Sequence, residues 1–200
     1  MISVYNLKTK FQGYLQPVCE SLYKAGITAN QITIAAIILS AGLGVSLFFH
    51  QQYSFVLLLV PAGLFLRMAL NALDGMLARQ FHLESKVGEL LNEAGDVLSD
   101  LVIILPLACL PGLQDWIIVL FAFLSVFNEF AGILGKVVSQ VRRYEGPMGK
   151  SDRALFIGFI CIGYFYWEQM SQYSNWLIGF ACVLLLISTY TRFKLTLTRA

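Results

Sequence analysis

Residues 71–100, NALDGMLARQFHLESKVGELLNEAGDVLSD, predict two helices joined by a short polar turn. Residues three or four apart in sequence lie on one face of a helix. The polar and small residues here follow that spacing on both sides of the turn: Asn71, Asp74 and Ala78 before it, and Gly88, Asn92, Asp96 and Asp100 after it. The stretch therefore predicts an antiparallel helical hairpin with a polar inner face.

Facing residues of an antiparallel hairpin have a nearly constant sum of residue numbers. This rule predicts four facing pairs: Ala78 with Gly88, Asp74 with Asn92, Asn71 with Asp96, and Arg67 with Asp100. The middle two pairs would bring four oxygen-bearing side chains together, and such a set suits a hard divalent cation, Mg²⁺ by default. The alternative is that the aspartates only accept hydrogen bonds from helix ends and basic residues near the membrane surface.

Arg67 lies roughly 10 Å deeper along its helix than Asp74, at about 1.5 Å per residue. An unpaired guanidinium at that depth is costly. We expect a structural ion pair between Arg67 and either Asp100 or Glu129 of a later helix, whose role is to fix helix packing.

The whole chain has the composition of a membrane protein. Of its 200 residues 58% are hydrophobic and 13% charged, with a mean hydropathy of +0.70, more apolar surface than a soluble domain of this length can bury. We predict an all-α integral membrane protein in which residues 1–200 form one domain. An amphipathic helix over residues 3–24 lies in the membrane interface. Six transmembrane helices follow, near residues 30–50, 54–79, 87–110, 114–136, 153–170 and 175–193.

The basic residues predict which side of the membrane is cytosolic. All 14 except Arg67 lie before the first span, in the second and fourth connections, or in the tail. Connections near 51–53, 111–113 and 171–174 contain none, so both termini are predicted to be cytosolic. Small size and the lack of a cleavable signal peptide favour a bacterial inner membrane. The net charge of +2 gives no reason to expect a nucleic-acid partner.

The hairpin resembles the signature of the CDP-alcohol phosphotransferases, DxxDGxxAR-x8-GxxxDxxxD. Six residues match it in type and spacing: Asp74, Gly75, Ala78, Arg79, Gly88 and Asp96. The six-span pattern also resembles the family, as does the stretch TANQIT at residues 28–33, at the start of the first span.

The resemblance implies a Mg²⁺- or Mn²⁺-dependent homodimer that transfers a phosphatidyl group from a CDP-alcohol, CDP-diacylglycerol above all, to an acceptor alcohol and releases CMP. It implies that Asp96 acts as general base on the acceptor hydroxyl and that the metal ligands are Asp74, Asn71, Asn92 and Asp96. The residues implied to bind the CDP donor are Gly75, Ala78, Arg79, Gly88 and Asn30. For Arg79 the alternative is a basic residue that closes a helix beside the cytosol.

Two departures from the signature bear on the metal site. Asn71 and Asn92 stand where the family has aspartates, and each removes a negative charge, so we expect weaker metal binding or one ion instead of two. Glu89 or Glu93 would be the nearest compensating acids. The departures leave open a non-catalytic lipid- or nucleotide-binding protein. A small transporter that uses the buried charges as a relay is a third reading.

The fourth connection and its flanks, KVVSQVRRYEGPMGKSDR over residues 136–153, are strongly basic. The candidate acceptor-binding residues there are Lys150, Arg142, Arg143 and Arg153. They would receive a phosphate or anionic headgroup on the acceptor. The preference of basic residues for the cytosolic side explains them equally well. The acceptor stays open among glycerol phosphate, an inositol phosphate, a glycerophospholipid and a free polyol.

Overall fold

The computed structural model describes residues 4–198, with side chains from residue 11 onward, and all regular structure in that range is helical. The seven α-helices are α1 (Val4–Lys24), α2 (Ala29–Leu47), α3 (Val56–Gln80), α4 (Lys86–Ile104), α5 (Asp115–Ser139), α6 (Lys150–Tyr166) and α7 (Met170–Thr198). The all-α prediction is confirmed. Residue 3, the predicted start of the first helix, and Arg199 of the basic tail lie outside the described range.

Four helices, α2, α3, α5 and α7, are long and apolar enough to cross a membrane. The two other predicted spans correspond to α4, which carries five charged side chains, and to α6, which has only 17 residues. The structure thus supports a membrane protein with four such helices by length and composition, and the count of six stays a prediction.

Local signals explain where the helices begin and end. Thr28 caps α2 through a capping box, because its side chain accepts from the Gln31 amide and the Gln31 side chain accepts from the Thr28 amide. The predicted third span is divided because Pro106 cannot continue the α-helix, and a 3₁₀ helix, Leu105–Cys109, follows α4. The last helix is longer than predicted at both ends.

Helix α1 packs on α3, α2 on α3 and α4, α3 on α6, and α5 on α7. A large apolar core contains residues of every helix from α3 through α7. A smaller core joins α1, α2 and the C-terminal end of α3. The Tyr23 ring stacks on Phe81 with 3.7 Å between centroids, which fixes the end of α1 beside the α3–α4 turn. That α1 lies in the membrane interface remains a prediction.

Candidate active site on the α3–α4 hairpin

The turn between α3 and α4 is held by backbone and capping hydrogen bonds. His82 takes a left-handed conformation with φ of 54°, and the Leu83 amide donates to the Ala78 carbonyl at 2.9 Å, which closes the end of α3. Ser85 caps α4 by accepting from the Gly88 amide at 2.9 Å. The turn therefore sets the register of the two helices.

The hairpin brings the four predicted oxygen-bearing residues together in two adjacent layers. The Asn92 amide donates to Asp74 Oδ2 at 3.2 Å, and the Asn71 amide donates to Asp96 Oδ1 at 3.2 Å. Both aspartates are buried. These contacts join the residues that the number-sum rule pairs.

Two residues outside the hairpin also contact the aspartates. Thr33 of α2 donates to Asp74 Oδ2 at 2.9 Å, and Lys150 at the start of α6 donates to Asp96 Oδ2. Thr33 was not among the predicted site residues, although it lies in the 28–33 stretch that resembles the family. Lys150 was predicted to bind the acceptor, and its contact with Asp96 was not predicted.

A buried chain of ion pairs lies beneath and beside these layers. Arg67 donates to Asp100 Oδ1 at 2.8 Å, and Arg153 donates to Asp100 Oδ2 at 2.9 and 2.6 Å and to Glu129 at 2.9 Å. Of the two partners expected for Arg67, the structure therefore pairs it with Asp100. Glu129 is not a partner of Arg67, because the Arg153 side chain from α6 lies between Asp100 and Glu129 and donates to both.

Arg142 extends this chain to the hairpin. It donates to both oxygens of Glu93 at 2.9 Å and to Glu129 at 2.9 Å. Burial alone would lower the pKa of Arg142, but the hydrogen bonds and charges of Glu93 and Glu129 outweigh that effect and raise the pKa above its ordinary value. Glu93, one of the two acids considered as compensating metal ligands, is thus engaged by a guanidinium. The other, Glu89, pairs with Lys136.

Arg143 faces away from the hairpin. It is fully buried and donates to the Leu195 carbonyl at 2.9 Å, which ties the end of α5 to α7. Arg192 is a buried residue that the sequence analysis left among the cytosolic basic residues, and it donates to the Asn128 carbonyl at 2.5 Å and lies 3.8 Å from Glu129. No local sequence signal distinguishes Arg192 from its basic neighbours in the tail.

The candidate donor-binding residues lie around the turn end of the hairpin. A Cβ on Gly88 would lie 2.7 Å from Asn30 Oδ1 and 3.0 Å from Ser85 Oγ. Helix α2 therefore reaches the turn and places Asn30 beside Gly88, and the pairing of Gly88 with Ala78 stays a prediction. Gly75 lies against the exposed Arg79, whose guanidinium nitrogens would be 3.1 Å from a Cβ at that position, and Ala78 is half-buried.

The four oxygen-bearing side chains fit a hard divalent cation, provided that the two asparagine amides take part. Within residues 4–198 no three His, Cys, Asp or Glu side chains converge on a possible metal position, so Asp74 and Asp96 need further oxygen ligands. Asn71 and Asn92 present amide nitrogens to the aspartates. A half-turn of each amide about its last side-chain bond would present oxygen instead. These four residues would then offer oxygen atoms alone, the ligands that Mg²⁺ and Mn²⁺ prefer.

Comparison with known proteins identifies the family of this chain. Residues 26–187 match the family model described as CDP-alcohol phosphatidyltransferase. The inner membrane protein YnbA of Escherichia coli (strain K12) is 42% identical over 191 residues, which cover 96% of this chain and 94% of that protein.

Solved structures of Mycobacterium tuberculosis phosphatidylinositol phosphate synthase (PgsA1) share the fold. One with CDP-DAG bound has a TM-score of 0.73 at 16% identity and covers 90% of this chain and 92% of its own. A second, in complex with manganese and citrate, has a TM-score of 0.73 at 16% identity, with 91% and 88% covered. From the family match and the close relative, the chain belongs to the CDP-alcohol phosphatidyltransferase family of enzymes, which transfer substituted phosphate groups.

Proposed function

We propose that this protein transfers a phosphatidyl group from CDP-diacylglycerol, or a related CDP-alcohol, to an acceptor alcohol and releases CMP. The observation that carries the proposal is the pair of buried aspartates, Asp74 and Asp96, in adjacent layers of one hairpin with amide partners. The CDP-DAG bound to the related PgsA1 fold supports the choice of donor.

In this reaction Asp96 would accept the proton of the acceptor hydroxyl. The hydroxyl oxygen would then attack the lipid-side phosphorus, and the bond from that phosphorus to the CMP oxygen would break. Lys150, beside Asp96, would lie on the acceptor side. The donor would bind along Gly75, Ala78, Arg79, Gly88 and Asn30. A Mg²⁺ or Mn²⁺ ion held by Asp74, Asp96, Asn71 and Asn92 would supply positive charge for the diphosphate.

The proposal extends to the architecture around the site. We propose that residues 1–200 form one domain in which α4 and α6 are further spans, six in all. Both termini would lie in the cytosol of a bacterial cell, and the protein would be a homodimer. The basic residues at one side of the membrane support this orientation. The relative named as an inner membrane protein supports the inner membrane.

CMP release by purified protein with CDP-diacylglycerol, Mg²⁺ and a panel of acceptor alcohols tests this function. Asp96→Asn should lower the rate at least ~100-fold, because general-base catalysis contributes about 10²- to 10⁴-fold. Asp74→Asn should raise the Mg²⁺ concentration for half-maximal rate by roughly 10-fold, since the ligand set loses a negative charge. Asp115→Asn, the same change at an exposed position at the start of α5, is the matched control. Full activity of Asp96→Asn would refute the proposed base.

A second candidate is a non-catalytic protein that binds a lipid or nucleotide. It is favoured by one observation: the groups beside the aspartates are amide N–H donors and the Lys150 ammonium, which satisfy the carboxylates without a metal. Saturable binding of CDP-diacylglycerol without CMP release in the presence of any acceptor would favour this candidate.

A further inference from the structure

The ion-pair chain beside the site contains six side chains from α3, α4, α5, α6 and the connection before α6. In order of contact they are Glu93, Arg142, Glu129, Arg153, Asp100 and Arg67. Acids and bases alternate, three of each, so these six formal charges cancel, and Arg192, 3.8 Å from Glu129, adds a further positive charge beside them. Each contact is 2.6–2.9 Å long, within the range of charge-assisted hydrogen bonds.

The chain is buried at one end and open at the other. Arg153 is 1% exposed and Arg67 is 3% exposed, whereas the Glu93 side chain, next to Asn92, is 26% exposed. The open end is therefore Glu93, on the same helix as Asn92 and Asp96. A substrate at the site could therefore reach Arg142 only on the side where its guanidinium is already bonded to Glu93.

Three further basic residues near the site are also engaged, and a fourth, the exposed Arg79, is assigned to the CDP donor in the proposed function. Lys150 pairs with Asp96, Arg143 donates to the Leu195 carbonyl, and Arg192 donates to the Asn128 and Glu145 carbonyls. A phosphate monoester on the acceptor would have to displace a carboxylate from Arg142, Arg153 or Lys150, or a backbone carbonyl from Arg143 or Arg192. At Arg142 or Arg153 that exchange would leave a buried carboxylate short of a partner, which is strongly unfavourable.

We propose that the acceptor is an alcohol without a phosphate group, and that Glu93 and Glu129 set this specificity by neutralising Arg142 and Arg153. The inference rests on the proposed function and narrows its acceptor class. Beside arginines that are already paired, hydroxyl groups can be bound through neutral hydrogen bonds, but a dianion reaches Arg142 or Arg153 only by displacing a carboxylate. Arg142, Arg143 and Arg153, which the sequence offered as acceptor-phosphate ligands, thus serve the fold and the acidic side chains.

Two matched pairs of acceptors test the proposal by turnover: glycerol against glycerol 3-phosphate, and inositol against inositol phosphate, each with CDP-diacylglycerol and Mg²⁺. Mass spectrometry of the lipid product shows which acceptor was joined. We expect kcat/KM to be at least ~10-fold higher for the neutral member of the pair that reacts, the ratio that corresponds to loss of one good contact. Preference for the phosphorylated member overturns the proposal.

A binding measurement decides the question even if no acceptor supports CMP release, so failure of the proposed function is distinguishable. Calorimetric titration of glycerol 3-phosphate into wild type saturated with CDP-diacylglycerol and Mg²⁺ should show no saturable binding below roughly 10 mM. Saturable binding in the micromolar range overturns the proposal.

Glu93→Gln provides the gain-of-function arm, because it removes one of the two carboxylates that Arg142 contacts, the one at the open end of the chain. This variant should bind glycerol 3-phosphate at least ~10-fold more tightly than wild type. Glu84→Gln, which removes the same charge from the exposed turn, is the control and should not change binding. If Glu93→Gln elutes like wild type on size exclusion and its affinity for glycerol 3-phosphate is unchanged, the proposed role of Glu93 is refuted.

Discussion

The two asparagines of the hairpin are the residues that most affect what Asp74 and Asp96 can do. Each donates an amide N–H to an aspartate on the opposite helix, and this contact stabilises the carboxylate when no cation is bound. An aspartate at either position would instead place two carboxylates face to face. Such a pair is unfavourable alone and favourable around a divalent cation.

The double variant Asn71→Asp, Asn92→Asp should therefore bind divalent cations more tightly. We expect a decrease of at least ~10-fold in the Mn²⁺ dissociation constant, measured by electron paramagnetic resonance, because two negative charges are added to the ligand set. The same variant should be less stable than wild type without metal, since it loses two hydrogen bonds and gains charge repulsion.

Asn175→Asp is the control for that measurement. Asn175 is in α7, where its amide donates to the Gly112 carbonyl, so the added charge lies far from the hairpin in sequence and in contacts. An Mn²⁺ affinity that does not differ between the double variant and wild type would contradict the assignment of Asn71 and Asn92 to the metal set.

At the scale of elements, the hairpin was predictable and its neighbours were not. Helical spacing and the number-sum rule give the contacts of Asn71 with Asp96 and Arg67 with Asp100, because one short turn fixes the register. The contact of Lys150 with Asp96 spans 54 residues and depends on where α6 packs. Nothing in the local pattern around residue 150 contains that information, and the same holds for Thr33 and Arg192.

Helix α2 packs on both helices of the hairpin, and Thr33 of α2 contacts Asp74 of α3. A Cβ at Gly44 of α2 would overlap the Val102 carbonyl of α4, whereas a Cβ at Gly42 would meet nothing within 4 Å. Gly44→Ala should thus force α2 and α4 apart at a cost of about 1–3 kcal/mol, typical of overpacking. The measurement is the free energy of unfolding in a detergent titration.

Gly42→Ala, two residues away on the same helix, is the matched control. It should leave stability unchanged or slightly raised, because alanine is the better helix former. Separation of α2 from α4 should also disturb the packing of α2 on the hairpin as a whole, and with it the contact of Thr33 with Asp74 of α3, so we expect Gly44→Ala to lose CMP release as well. Equal stability of the two variants would mean that α2 and α4 do not pack closely at Gly44.

The whole molecule has an apolar exterior and a charged interior. Large hydrophobic side chains such as Phe123, Phe180 and Leu197 are more than half exposed, while Arg143 and Arg153 are almost fully buried. Lipid rather than water suits the exterior, and in lipid a buried charge needs a partner. The ion-pair chain meets that need, and it lies on the side of the molecule where the sequence places most basic residues.

The proposed topology predicts which connections face the cytosol. In a variant whose four cysteines are replaced, single cysteines at Gln52 and Gln169 should react with a membrane-impermeant maleimide on intact cells, because their connections carry no basic residue. Cysteines at Glu84 and Val141 should react only after the membrane is opened, since basic residues retain their connections in the cytosol. All four positions are exposed, so the structure itself does not shield any of them from the reagent.

Each comparison in this experiment reports on one part of the topology. Opposite labelling of Gln52 and Glu84 requires that α3 crosses the membrane, and opposite labelling of Val141 and Gln169 requires that α6 crosses despite its 17 residues. At about 1.5 Å per residue α6 covers roughly 25 Å, so it can cross only if the bilayer is thinned or the residues beside the helix complete the span. Labelling of Val141 and Gln169 from the same side would mean that α6 stays within one leaflet, and it would refute the six-span proposal.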